Sequence, residues 1–286
     1  MNCEIQDLEQ LIKEHSKSFH FASSFLPEKK KKAIWSLYAF CRTTDDLVDA
    51  PHPNLLLKEK EEKLKLIDEW RQDFHSLRPK NFVLQNFQNT LEEFKIPEKY
   101  AYELIDGCRR DLIQNRYETF AQLSEYCYQV ASTVGLMSSY IIGFNKNFEK
   151  VVVDNAIKAG IALQLTNIIR DVKEDLERDR IYLPKEDFET FNCDYNSPST
   201  WRGSKEFNEL IKFQVSRAHD LYKTSQKGTK HLEPEGRFAI NCALTVYEGI
   251  LDEVVKRNYD VFSQRAFVPF GRKLSMLPLI LLKSFI

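Results

Sequence analysis

The sequence predicts an all-α protein, and three observations support this class. Glycine is scarce, at 9 of 286 residues, whereas residues with high helix propensity are abundant. Apolar residues recur at the three- and four-residue spacing of amphipathic helices, and the alternation typical of strands is short and rare. No stretch has the composition of a linker, and the length suffices for a substantial core. We therefore expect one helical domain over residues 1–286.

Helical periodicity divides the chain into segments bounded by proline or turn residues. Pro27 stands where the second predicted helix begins, a position that proline favours. Two later segments are apolar nearly all round, as the central helices of a bundle are. The predicted helices span residues 4–15, 28–48, 54–78, 81–94, 98–116, 119–142, 150–177, 205–230, 234–262 and 269–284, with a turn-rich loop at 191–204.

Charge and cysteine usage narrow the class of protein. The formal net charge of −1 argues against a protein that binds nucleic acid through phosphate attraction. The six cysteines include no CxxC pair and no histidine spacing typical of zinc sites, which favours a reducing, cytoplasmic setting. The N-terminus lacks the basic start and the apolar run of a signal peptide.

The most apolar stretch is LSMLPLILLKSFI at the C-terminus, where Pro278 and Lys283 interrupt it. It is shorter than the roughly 18 to 20 apolar residues that cross a bilayer. We expect a terminal helix docked on the core, and peripheral contact with a membrane stays open as the alternative. The expected location is therefore the cytoplasm, either free or at a membrane surface.

The segment LQLTNIIRDVKEDLERDRIYLP, residues 163–184, places a polar stripe on an apolar helix. At about 100° per residue, Asn167, Asp171 and Asp175 lie roughly −60°, −20° and +20° from Gln164. Aliphatic residues flank the stripe, which predicts a cavity wall rather than a solvated face. Carboxylates in a cavity repel one another and lose hydration, so a hard cation would stabilise them. A solvated, salt-bridged helix end is the alternative.

A second polar stripe lies in KAIWSLYAFCRTTDDLVDA, around residue 40. Relative to Asp45, Asp49 lies at about +40°, Arg42 at about +60° and Tyr38 at about +20°, whereas Asp46 lies about 100° away. If the two acidic helices meet across the core, their carboxylates converge on one cavity. Magnesium suits such a site, because it takes oxygen ligands and completes its shell with water and substrate phosphates. The pair of motifs therefore predicts a diphosphate substrate, which Arg42 could bind in bidentate fashion.

The segment HSKSF, residues 15–19, collects side chains that bind anions at a predicted helix end. It is either part of the same diphosphate site or a simple capping turn. The sequence leaves both interpretations open.

These motifs, together with YCYQVASTVG and RAFVP, resemble the squalene and phytoene synthases, in particular their bacterial carotenoid-type members. The resemblance implies an isoprenoid synthase fold, a single helical bundle around a central hydrophobic cavity. It also implies head-to-head condensation of two identical prenyl diphosphates, farnesyl or geranylgeranyl, through a cyclopropyl diphosphate intermediate. The product would be dehydrosqualene or phytoene, in carotenoid biosynthesis. No dinucleotide-binding glycine turn is present, so NADPH is not expected.

The resemblance further implies roles for individual residues. Tyr126 would stabilise a carbocation or handle a proton. Arg170 lies off the polar stripe, so a role for it requires a local irregularity of the helix. The residues implied to hold several Mg²⁺ ions are Asp45, Asp49, Asn167, Asp171 and Asp175, and the four aspartates, together with Tyr126, are implied to be catalytic. The residues implied to contact the two substrate molecules are His15, Ser16, Lys17, Ser18, Tyr38, Arg42, Gln164, Arg170, Tyr247 and Arg265.

Two departures from the family pattern bear on the interpretation. Ser132 stands where the family often has glycine, so helix packing beside the cavity is expected to differ slightly. The C-terminal sequence does not resemble the membrane-spanning tail of eukaryotic squalene synthases, so we expect an enzyme of the soluble bacterial type. The alternative functions are an NADPH-dependent squalene synthase, another diphosphate enzyme of the elongase or cyclase type, and a non-catalytic assembly factor. An assembly factor would be expected to lose its motif aspartates, and all four are present. Substrate length, product geometry and oligomeric state stay open.

Overall fold

The computed structural model describes residues 23–49 and 59–285. These residues form α-helices joined by short turns, and the only β-type contacts among them are two isolated bridges. The all-α prediction is therefore confirmed. The predicted first helix, 4–15, and the segment His15 to Ser18 lie outside the described residues.

The helices follow the predicted order closely. We number them along the described chain, and a π-helical turn at Tyr128–Ser132 separates α5 from α6. Their bounds are α1 Glu28–Asp49, α2 Glu59–His75, α3 Phe82–Phe94, α4 Lys99–Arg110, α5 Phe120–Cys127, α6 Thr133–Ile142, α7 Glu149–Arg170, α8 Val172–Glu177, α9 Lys185–Thr190, α10 Lys205–Ser225, α11 Pro234–Lys256 and α12 Phe270–Phe285.

Three predicted helices are too long at their C-terminal ends. The one predicted over 98–116 ends at Arg110, and the chain then extends so that Arg116 forms a parallel bridge with Ile181. The one predicted over 205–230 changes to a 3₁₀ turn after Ser225. The one predicted over 234–262 ends at Lys256, because Asn258, with φ 52°, takes the left-handed conformation that terminates helices.

The predicted helix 150–177 is two helices with a break at Asp171. Asp171 has φ −104° and ψ 15°, outside the helical region. α7 therefore ends at Arg170 and α8 begins at Val172. The break changes the direction of the side chains near it, so constant rotation from Gln164 no longer holds beyond this point.

Helix α7 is the centre of the bundle, since it packs on α6, α10, α11 and the π-helical turn. Helix α1 belongs to a neighbouring group and packs on α2, α3, α4 and α6. Two buried apolar clusters correspond to these groups, one including Leu165, Ile169 and Tyr222 and the other including Phe40 and Phe87. The acidic ends of α1 and α7 thus come from different groups of helices.

Because Gly160 has no side chain, the backbones of α7 and the π-helical turn pack directly against each other. A Cβ at this position would lie 2.3 Å from the Cα of Ser132, which is far closer than atoms pack. Ser132 is buried, and its hydroxyl donates a 2.7 Å hydrogen bond to the carbonyl of Ile157. The serine found in place of the usual glycine is accommodated in this way, with its polar group satisfied.

The C-terminal helix α12 packs on α11 through Met276 and Ile280. Docking of this helix on the core is thus confirmed. Within residues 23–49 and 59–285, none of the helices combines the length and apolar character needed to span a bilayer.

Candidate active site

A cavity of about 690 Å³ lies between α1 and the junction of α7 with α8. It collects side chains from both acidic motifs, from α5 and α11, and from the segment before α12. Every predicted site residue that falls within the described part of the chain lines this cavity: Tyr38, Arg42, Asp45, Asp49, Tyr126, Gln164, Asn167, Arg170, Asp171, Asp175, Tyr247 and Arg265. The structure therefore brings the two distant motifs together, and the individual roles of these residues stay predictions.

On the α1 side, the two motif aspartates have different partners. Asp49 accepts hydrogen bonds of 2.7 Å from Arg178 and 2.9 Å from Arg180. Among the residues that the structure describes, the basic partner of Asp45 is the more distant Arg42, at 3.8 Å. Although the Asp45 side chain is 52% exposed, desolvation by the surrounding protein, followed by the charge of Asp49, raises its pKa to about 6. The result is one neutralised and one poorly compensated carboxylate on the same face of the helix.

Arg42 is not free to bind an anion in this structure. Its Nε donates a 3.0 Å hydrogen bond to Asp46, one helical turn away. Asp46 does not line the cavity, in agreement with the angle predicted for it. Arg42 nevertheless lies on the cavity wall. Its guanidinium could leave Asp46 and bind a diphosphate oxygen by a movement of the side chain alone.

The second motif is built around the helix break. Asp171 accepts hydrogen bonds from Arg170, at 2.7 Å, and from Arg265, at 2.8 Å and 2.9 Å. Burial acts to raise the pKa of Asp171, but the two arginines outweigh it and hold the pKa below its ordinary value. Arg170 lines the cavity, next to the break, with its guanidinium bonded to Asp171. This break is the local irregularity that a role for Arg170 requires.

Asp175 is the least compensated acid of the second motif. Burial, followed by the charge of Asp171, raises its pKa to about 7, against the opposing effect of Arg180. Near neutral pH this carboxyl group therefore gains substantially from a nearby cation.

Asn167 presents an unsatisfied acceptor to the same region. Its Nδ2 donates to Gln164 at 3.3 Å, and its buried Oδ1 has no hydrogen-bond partner among the described residues. Such a buried acceptor costs about 1–3 kcal/mol when left unpaired. A bound cation or a ligand proton would remove this cost.

These groups form an open set of oxygen donors. Among the described residues, no three His, Cys, Asp or Glu side chains converge closely enough to hold one metal ion by themselves. The carboxylates of Asp45 and Asp175 and the amide oxygen of Asn167 are, however, the hard ligands that Mg²⁺ prefers. The donor set thus fits an ion that takes its remaining ligands from water and substrate.

Sequence reasoning missed Asp111, which lines the same cavity. It accepts a 2.8 Å hydrogen bond from the hydroxyl of Tyr126 and another of 2.8 Å from that of Tyr182. Burial, opposed by the charge of Arg180, raises the pKa of Asp111 to about 6. No periodic pattern marks Asp111, because it follows directly on the end of α4. Tyr182 and Arg180 did stand in a quoted motif, within DRIYLP.

A second cavity, of about 350 Å³, continues from the first. The residues that line both cavities are Tyr38, Cys41, Val130, Gln164, Asn167 and Tyr247. Beyond them the second cavity runs between α6, α7 and α11 among aliphatic and small residues. The central hydrophobic cavity expected for this fold is present, and we refer to it as the apolar channel.

Comparisons with known proteins agree with this architecture. The family model described as squalene/phytoene synthase matches residues 12–272. The chain is 36% identical to the 15-cis-phytoene synthase of Synechocystis sp., over 96% of this chain and 83% of that protein. It is 37% identical to the phytoene synthase of Arthrospira platensis, over 96% of this chain and 91% of that protein.

A solved structure supports the same assignment. The crystal structure of a dehydrosqualene synthase in complex with ligand superposes with a TM-score of 0.86 and 29% identity, covering 99% of this chain and 98% of that one. The matched region includes both acidic motifs and the apolar channel. The chain therefore belongs to the squalene/phytoene synthase family of prenyltransferases.

Proposed function

We propose that the protein condenses two molecules of geranylgeranyl diphosphate head to head, through a cyclopropyl diphosphate intermediate, to give phytoene. The observation that carries the proposal is the position of two acidic motifs around one polar cavity that opens into an apolar channel. A polar head and a long hydrocarbon tail can occupy these two spaces at once. The relatives named phytoene synthases support phytoene as the product.

The reaction is proposed to need Mg²⁺. Asp45, Asp49, Asn167, Asp171 and Asp175 would hold the ions, because they supply the oxygen donors of the cavity. Bound there, the ions would offset the negative charge of a leaving diphosphate. The raised pKa values of Asp45 and Asp175 support this assignment, since the basic groups of the described residues do not offset the desolvation and mutual repulsion of these carboxylates.

The arginines of the cavity are positioned to bind the diphosphate itself. Arg42, Arg170, Arg178, Arg180 and Arg265 all line the cavity, and guanidinium groups bind phosphate oxygens in bidentate fashion. In the present structure their charges are taken up by aspartates. When substrate binds, the arginines would therefore leave the aspartates and bind phosphate oxygens. The metal ions would then take the place of the arginines beside the aspartates.

The apolar channel keeps water from the reacting carbons. An allylic carbocation in contact with water would be captured as an alcohol, so exclusion of water protects the product. The stacked rings of Tyr126 and Tyr182, 5.2 Å apart, can stabilise positive charge with their faces. In this proposal the Tyr126 hydroxyl, which donates a hydrogen bond to Asp111, accepts the final proton as it passes its own to that carboxylate.

We further propose a cytoplasmic enzyme that contacts a membrane peripherally, since its product is a hydrocarbon. Helix α12 supports this, because Phe270, Leu274, Leu281 and Leu282 are all exposed, and interfacial helices carry such faces. Flotation with phospholipid vesicles tests it. The variant Leu274→Ser/Leu281→Ser should remain in the soluble fraction with its melting temperature retained. Equal flotation of both proteins would refute contact through α12.

The decisive experiment supplies the purified protein with farnesyl or geranylgeranyl diphosphate, with and without NADPH and EDTA. We expect phytoene and diphosphate from geranylgeranyl diphosphate without NADPH, and no turnover in EDTA. Full turnover in EDTA would refute the metal assignment. A hydrocarbon formed only with NADPH would identify a squalene synthase type of reaction instead.

Variants of the acidic motifs test the site directly. Asp45→Asn and Asp175→Asn should each lower kcat/KM by about 100-fold or more, the scale expected when charge stabilisation is removed from a transition state. Asp154→Asn, on the exposed face of α7, is the matched control and should retain normal activity. Full activity in the two site variants would remove these residues from the mechanism.

A further inference from the structure

One face of α7 runs along the whole apolar channel. Leu163, Ala159, Ala156 and Val152 all line it at the three- and four-residue spacing of a single helix face, and Gln164 stands next to Leu163 at the polar end. At 1.5 Å per residue, Val152 lies roughly 18 Å from Gln164 along the helix axis, and Ala156 roughly 12 Å from it. The farther a residue of this face lies from Gln164 along α7, the deeper it therefore lies in the apolar channel.

Helix α6 forms an adjoining wall of the channel and packs antiparallel against α7. An added Cβ at Gly135 would lie 3.3 Å from the carbonyl oxygen of Ala156, and one at Gly160 would meet Ser132. Gly160 thus faces Ser132, and Ala156, four residues earlier on α7, faces Gly135, three residues later on the other segment. Ser139, one helical turn beyond Gly135, therefore lies near the level of Val152.

The channel reaches its far end at this level. Val152 and Leu232 line it there, and both belong to a small buried cluster with Ile142 and Phe144. Val152 is only 3% exposed. A hydrocarbon tail that reaches this level would therefore meet packed side chains.

The length of a prenyl tail can be set against this depth. An isoprene unit adds four bonds of about 1.5 Å, which advance roughly 5 Å when extended in a zigzag. Three units entering at Gln164 would end at roughly 15 Å, short of Val152, and four would end at roughly 20 Å, at its level. The last unit of a four-unit tail would occupy the space between Ala156 and Val152.

We propose that Val152 and Ser139 determine the chain length that the enzyme accepts, by bounding the space for the fourth isoprene unit. The inference rests on the proposed function, since it assigns the tail of the prenyl diphosphate to the apolar channel. Ser139 is small, and its hydroxyl is satisfied by the Gly135 carbonyl at 2.8 Å, so its side chain leaves the end of the channel open. A larger side chain at this level would shorten the channel by about one unit.

Two opposite substitutions test the assignment. Ser139→Leu should shift the ratio of kcat/KM for geranylgeranyl over farnesyl diphosphate toward farnesyl by about tenfold or more, the scale of discrimination by a few methylene groups. Val152→Ala should instead enlarge the end and raise turnover of the five-unit diphosphate relative to the four-unit one. General destabilisation cannot move chain-length preference in both directions.

Control measurements distinguish failure of this inference from failure of the proposed function. Val151→Ala changes an exposed neighbour and should leave the preference unchanged, and thermal melting verifies that each variant is folded. An unaltered chain-length ratio in folded, active Ser139→Leu and Val152→Ala would overturn this inference and leave the proposed function standing. A wild-type protein that converts none of the prenyl diphosphates would overturn the proposed function, and this inference with it.

Discussion

Arg265 holds Asp171 with two hydrogen bonds, from Nε at 2.8 Å and from Nη2 at 2.9 Å. The two residues are 94 positions apart, and the contact ties the segment before α12 to the break between α7 and α8. Arg265 is therefore a partner of the second acidic motif in the free protein, in addition to its predicted contact with substrate.

Removal of this contact should weaken catalysis and shift its pH dependence. In Arg265→Gln, Asp171 loses one of two arginines that lower its pKa, so the acidic limb of the rate profile should move to higher pH. We expect kcat/KM to fall about 10- to 100-fold, as for loss of a charged hydrogen bond worth about 1.5–3 kcal/mol. Arg265→Lys should recover part of the rate. Arg202→Gln, near Ser263, is the control, and an unshifted profile in Arg265→Gln would contradict the prediction.

Asp111 should matter through the two tyrosines that it binds. Burial, followed by the charge of Asp111, raises the pKa of Tyr126 well above its ordinary value. Asp111→Asn removes that charge, so the pKa of Tyr126 should fall, which ultraviolet absorbance titration measures. Turnover should also drop by about 100-fold if the carboxylate receives a proton, the usual scale of general base catalysis. Asp106→Asn, an exposed acid paired with Arg71, should change neither quantity.

The metal-free protein should lose stability as the pH rises through the range in which its cavity acids ionise. The pKa is about 6 for Asp45 and Asp111 and about 7 for Asp175, all above the unfolded value of about 3.9. Between about pH 4 and pH 7 the folded state thus binds more protons than the unfolded state, so the free energy of unfolding decreases with pH. Thermal melting in EDTA measures this slope, and Asp175→Asn should flatten it. Melting temperatures that rise from pH 5 to pH 7.5 would disprove the assignment.

The close approach of α7 to the π-helical turn predicts a strong effect of a single methyl group. Gly160→Ala places a Cβ 2.3 Å from the Cα of Ser132, and backbone atoms must move to relieve the clash. We expect a loss of about 2–3 kcal/mol in the free energy of unfolding, as in overpacked cores. Gly271→Ala, where nothing lies within 4 Å, should be neutral or slightly stabilising because alanine favours helix. Chemical denaturation distinguishes the two, and similar values would refute the packing argument.

Local patterns were sufficient for most of the fold and for most of the described site. Helix positions follow from the periodicity of apolar residues, which directly reflects which face is buried. The polar residues that interrupt this periodicity, Asp45, Asp49, Asn167, Asp171 and Asp175, are costly to bury, and for that reason they marked the site. Periodicity does not determine where a helix ends, so the breaks at Arg110, Lys256 and Asp171 were not predicted.

Only the tertiary structure decided which partner each charge has. Asp111 has no periodic signal and belongs to the site solely because Tyr126 and Tyr182 meet it from other parts of the chain. Likewise, Arg265 joins Asp171, Arg180 joins Asp49, and Arg42 turns to Asp46. The sequence alone thus determined the helices and the acids they carry, because burial acts on each helix face separately. Pairing of charges depends on distances between remote segments, which packing of the whole bundle sets.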